Sequence, residues 1–105
     1  MSTEDLVETL IYEGMKSYKR NSRGSKNADK LRRHEPVEMF GYTFTYWREY
    51  ATYRAGEWIK ELLPSVSVEV ILDGNNSTLK LELTDEEQKK LNCKLYNFLE
   101  KFNKI

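Results

Sequence analysis

The chain has little of what small metal-bound or disulfide-built proteins depend on. Its 105 residues include one cysteine, Cys93, one histidine, His34, and two prolines, Pro36 and Pro64. A lone cysteine closes no internal disulfide, which agrees with a reducing cytoplasm, and one Cys with one His is too few ligands for a structural zinc site. Cys93 has no nucleophile signature around it. His34, between Arg33 and Glu35, reads as a solvated loop residue rather than a poised base. The run DGNNS lacks the bidentate acid of a calcium loop, and the sequons in NNST read as turn residues. No apolar run approaches the length of a membrane span, and the acidic start MSTEDLVETL does not have the positive charge of a signal peptide. These absences lead to the expectation of a cytoplasmic protein that is not an enzyme, with no cofactor, no metal and no membrane contact.

The charge is abundant but unevenly placed. Formal net charge is zero, yet eight of the seventeen basic residues lie between positions 16 and 34, accompanied by the single acid Asp29. They are Lys16, Lys19, Arg20, Arg23, Lys26, Lys30, Arg32 and Arg33. The span has almost no apolar residues and several turn formers, so it is expected to be a mobile basic loop over about residues 19–36, with one or two helical turns at most between Ala28 and His34 before Pro36 ends them. Eight cations on so short a span can meet several phosphates at once, which makes them candidate nucleic-acid-binding residues. A solvated connector is the competing expectation.

The apolar residues are periodic, as in a folded chain. Leu6, Val7, Leu10, Ile11, Met15 and Tyr18 recur at helical spacing after a capping Ser2 or Thr3, with Gly14 within the stripe, where it either admits a close neighbour or only weakens the helix. The segment from Phe40 to Leu63 holds both tryptophans and four of the seven tyrosines. Phe40, Tyr42, Phe44 and Tyr46 alternate as in a strand with one aromatic face, and Phe40 and Phe44 are expected to pack inward. From Trp47 the period changes: Trp47, Ala51, Ala55, Trp58, Ile59 and Leu62 share a helical arc ended by Pro64, and both tryptophans are assigned to the core. Val66, Val68, Val70 and Leu72, then turn residues Asp73 to Asn76, then Leu79, Leu81 and Leu83 give a hairpin. The strand near Phe40 is expected to be a third member of its sheet, because a lone hairpin is marginal. Thr84 and Glu87 form a capping box ahead of a stripe of Leu91, Leu95, Phe98, Leu99 and Phe102. The expected architecture is one α+β domain over residues 1–105, in the order α, basic loop, β, α, β, β, α, with helices packed on a short antiparallel hairpin-based sheet.

Two surfaces follow as candidate sites. The basic residues, followed by aromatics that can stack on bases, suit direct and largely sequence-independent RNA or DNA binding. On the helix from Trp47, Tyr46, Tyr50 and Tyr53 lie on a second flank continued by Glu57, with Arg54 nearby, and this composition suits a protein interface. The competing expectation is that the first helix or the basic segment covers these tyrosines. The leading functional expectation is a small regulatory or accessory module that engages a protein partner or nucleoprotein complex in nucleic-acid processing. The richness in Lys, Asn, Tyr and Glu suits a phage or mobile-element inhibitor of a host system. A homo-oligomeric interaction protein is the further alternative.

Overall fold

The computed structural model describes residues 2–103. In chain order they form α1 (Thr3–Asn21), α2 (Lys26–Arg32), β1 (Val37–Met39), β2 (Tyr42–Phe44), α3 (Trp47–Leu62), β3 (Ser67–Ile71), a 3-10 turn (Gly74–Asn76), β4 (Thr78–Glu82) and α4 (Asp85–Asn103). The class is α+β, with two antiparallel two-stranded sheets, β1 with β2 and β3 with β4.

Local signals account for the long helices. The Ser2 hydroxyl accepts the Asp5 N–H at 3.1 Å, and Glu4 and Asp5 lie at the positive end of α1. Thr3 is inside the helix rather than at its cap, and its hydroxyl donates to Asn92 Oδ1 of α4 at 2.7 Å. The capping box of α4 closes in both directions: Thr84 N–H donates to Glu87 Oε1 at 3.0 Å and Glu87 N–H to Thr84 Oγ1 at 3.1 Å.

Leu6, Val7, Leu10 and Ile11 of α1, Ala51, Ala55 and Ile59 of α3, and Leu91, Leu95 and Leu99 of α4 make one buried cluster with Val66. Gly14 lets α1 and α3 come close, because a Cβ there would lie 3.3 Å from the Trp58 ring. Trp58 then stacks on Tyr18, meets Phe98 and Phe102 at an angle, and so links the three helices. The β3–β4 sheet covers α3 with Val68, Val70, Leu79 and Leu81, over Gly56.

Leu31, Val37 and Phe44 form a second buried cluster, with Met39, Trp47, Tyr50, Tyr53 and Leu72 packed around it. Four expectations are corrected here. The basic segment is less of a loop than expected: α1 continues to Asn21, and the one or two expected turns are α2, which starts earlier, at Lys26, where Ser25 caps it by accepting the Ala28 N–H at 3.2 Å. A seven-residue helix needs few apolar positions to dock, and Ala28 and Leu31, both buried, suffice. The aromatic stretch before α3 is a hairpin rather than one strand, and it does not join the β3–β4 sheet. Trp47 belongs to this second cluster, not to the one that holds Trp58, and both rings are half-buried. Phe44 is fully buried, but Phe40 is 56% exposed.

Candidate functional site

The β1–β2 hairpin turns in two residues, Phe40 and Gly41, closed by the Met39–Tyr42 pair. Both have positive φ, 56° and 79°, as in a type I′ turn. Asn, Asp or Gly is favoured at the first of these positions; a phenylalanine there costs about 1–2 kcal/mol of backbone strain. The sequence carries only a partial signal, since a lone glycine within alternating aromatics marks an interruption of the strand such as a bulge and does not specify a turn. The turn throws the Phe40 ring away from the strand face and lays it on Tyr53 of α3, with centroids 5.1 Å apart and planes 12° from parallel. Tyr42, 38% exposed, completes the group at 5.2 Å from Tyr53. Loss of hydration, with the Glu57 charge second, holds the Tyr53 hydroxyl above its ordinary pKa of 10.0.

The expected tyrosine flank is divided by the fold. Tyr50 is turned inward, 5.0 Å from Tyr18 of α1, 5.7 Å from Phe44 and 6.4 Å from Trp47. Arg54 is also engaged within the chain, donating from Nε to the Tyr18 hydroxyl at 3.1 Å. Burial raises the Tyr18 pKa and Arg54 opposes that rise. Tyr46 is the N-cap of α3, in extended backbone rather than on its helical stripe, and its ring meets His34 at 4.4 Å and Gly74. Glu57 pairs with Lys60 at 3.6 Å. Tyr53 is the member of the flank that the structure joins to the exposed rings.

All eight candidate cations are exposed. Lys16 pairs with Glu13, Arg32 with Asp29 and Arg33 with Glu35. Lys19, Arg20, Arg23, Lys26 and Lys30 make no ion pair among the described residues. The second helix brings this charge to the hairpin: Asn27 Nδ2 donates to Met39 Sδ at 3.7 Å, beside Phe40. Lys30, three residues on, shares the Asn27 flank of α2.

Two polar hubs built on long-range partners, which spacing along the chain does not reveal, hold this region against the main core. Glu49, buried in α3, accepts from Thr45 N–H at 2.8 Å, Thr45 hydroxyl at 3.1 Å and Tyr46 N–H at 3.1 Å through Oε1, and from Gly74 N–H at 3.3 Å through Oε2. It therefore caps its own helix and ties the first hairpin to the turn of the second. Arg48 donates from Nε to the Ser77 carbonyl at 2.9 Å and from its two terminal nitrogens to the Glu8 carboxylate at 2.8 and 2.7 Å.

The Arg48 fork holds the Glu8 pKa below its ordinary 4.5. With the folded value below the unfolded one, the bridge contributes fully above pH 4.5 and is lost as pH falls through the folded value. Water screens the half-exposed carboxylate, so this contribution is at most about 1 kcal/mol. Arg48→Met is expected to cost about 2 kcal/mol at pH 7, including the bond to Ser77. Urea titrations at several pH values check this: the variant loses less stability than wild type between pH 6 and 3. Parallel curves would rule the Glu8 linkage out.

Among the described residues there is no group of three or more His, Cys, Asp or Glu side chains placed to hold a metal ion, and no helix is long and apolar enough to cross a membrane. An open groove of about 710 Å³ between the start of α1 and β4 mixes Glu4, Glu8 and Lys80 with Leu79 and Leu81. It gathers no charge of one sign and no aromatic ring. The described fold and its exposed features define the class as an α+β protein with an aromatic hairpin turn beside a basic helix. Comparison with protein-family models, with curated proteins and with solved structures finds no match.

Proposed function

We propose that the protein is a non-enzymatic binding module that engages a nucleic-acid-processing assembly by contacting its nucleic acid. The observation that carries this reading is a set of five cations that make no ion pair among the described residues, Lys19, Arg20, Arg23, Lys26 and Lys30, on the end of α1 and on α2, whose Asn27 touches Met39 next to an exposed aromatic turn. Fixing several of them on the end of α1 and on α2 lowers the ordering cost that a loose arm would carry on binding phosphate. Contacts of this kind give affinity without base specificity. The tyrosine flank supports a protein interface less well, because Tyr50 and Arg54 are occupied within the chain. An accessory or regulatory role in such an assembly, inhibition included, is the setting we infer.

Replacing Arg20, Arg23, Lys26 and Lys30 together by Gln tests the charge. All four are exposed, so folding is expected to be unchanged. Binding to every oligonucleotide is expected to weaken, and the slope of log K against log salt to fall by about three for a single strand. Measured by anisotropy at low salt, an intact protein that binds no oligonucleotide sinks the proposal.

A further inference from the structure

Phe40 combines three properties that point away from a purely structural role. It occupies a left-handed turn position that disfavours its side chain, it is 56% exposed, and it is held flat against Tyr53. A ring needed only for the core would be buried like Phe44, and a residue chosen only for the turn would be Asn, Asp or Gly. Strain kept at an exposed position points to use of that position.

We infer that the Phe40 turn is a stacking platform for an unpaired base, and that the ligand of this face is a single strand of nucleic acid. The inference rests on the proposed nucleic-acid binding and adds the class of strand and the residue that selects it. Every base has a flat π-face, so one aromatic ring serves a strand of any sequence. Bases in a duplex present only their edges and are not available to such a ring. Tyr53 backs Phe40 from behind, and Tyr42 lies beside Tyr53 as a second exposed ring.

The charges set the path of the strand. Asn27 touches Met39 next to Phe40, so Lys30, and Lys26 at the start of the same helix, place cations on the α2 side of the platform. Glu57, one turn beyond Tyr53 on α3, is paired with Lys60, and Glu38 projects to the strand face opposite Val37 and Met39. Phosphates are therefore drawn along α2, with the base turned onto Phe40.

The test is fluorescence anisotropy with a labelled twelve-residue oligo(dT), an abasic strand of the same length and a duplex. Phe40→Asn removes the ring and suits the left-handed position, so thermal stability is expected to hold or rise. Wild type is expected to prefer oligo(dT) over the abasic strand and the duplex by about ten-fold. Phe40→Asn is expected to lose that preference, binding oligo(dT) about ten-fold more weakly with the salt slope unchanged. Phe40→Trp is expected to keep it. If Phe40→Asn binds oligo(dT) like wild type while the four-Gln variant loses binding, stacking is overturned and the electrostatic reading stands. If wild type binds none of the three, both fall, and the aromatic turn is left to a protein surface.

Discussion

Phe44→Ala is expected to lower the stability of the protein by about 3–5 kcal/mol, the usual cost of emptying a buried phenylalanine site. The ring is fully buried in the second cluster, with Leu31 and Val37 also buried there, Tyr42 stacked on it, Tyr50 meeting it edge-on and Tyr53 tilted against it. No other buried residue of that cluster is aromatic, so its removal leaves a space that a three-residue strand and a seven-residue helix cannot close by small shifts. The loss should be regional. In hydrogen exchange, amides of α2 and the β1–β2 hairpin lose protection first, while those of α1, α3 and α4 around Leu10, Ile59 and Leu95 keep theirs until global unfolding. Phe44→Leu retains most of the apolar volume and is expected to cost about half as much. A uniform loss of protection would contradict a cluster with its own local stability. Since Phe44 supports Tyr53, on which Phe40 rests, Phe44→Ala is also expected to weaken oligonucleotide binding.

Glu49→Ala has the next largest expected effect, about 3 kcal/mol. Removing the carboxylate leaves three backbone N–H groups and the Thr45 hydroxyl without their partner, in a place where little water can replace it. It also removes a negative charge from the first turn of α3. Glu49→Gln separates these causes. Its amide oxygen can still accept from Thr45 and Tyr46, but the amide nitrogen meets the Gly74 N–H as a second donor, and the expected cost is about 1–2 kcal/mol. Urea unfolding of both variants, with amide exchange at Thr45 and Gly74, measures the effect. Wild-type stability in Glu49→Ala would mean that the buried carboxylate does not tie the two hairpins together.

These two side chains mark the limit of what local pattern specifies. Helical spacing does not single out Glu49, because its partner Gly74 is 25 residues away. Alternation placed Phe44 inward and was right, but it placed Phe40 inward on the same grounds. A two-residue turn reverses the chain at that point, and alternation does not continue through a turn with positive φ. Of the candidate site, the eight cations and Tyr53 were identified from composition and spacing. Phe40 and Tyr42 were recognised only as strand aromatics.

The amino-acid sequence by itself determined α1, α3, α4 and the β3–β4 hairpin. Each is specified by neighbours in the chain: Ser2 and Thr84 as caps, apolar residues at three and four, and alternation about Asp73 to Asn76. Tertiary structure decided that the turns the basic segment allows are a docked helix, since α2 has two buried side chains, Ala28 and Leu31, and is stable only where Val37 and Phe44 receive Leu31. It also decided which rings of the Phe40 to Leu63 stretch are used internally. Tyr50 has the same spacing and chemistry as its neighbours, and it is the approach of Tyr18 on α1 that covers it while the hairpin turn leaves Phe40 in the open.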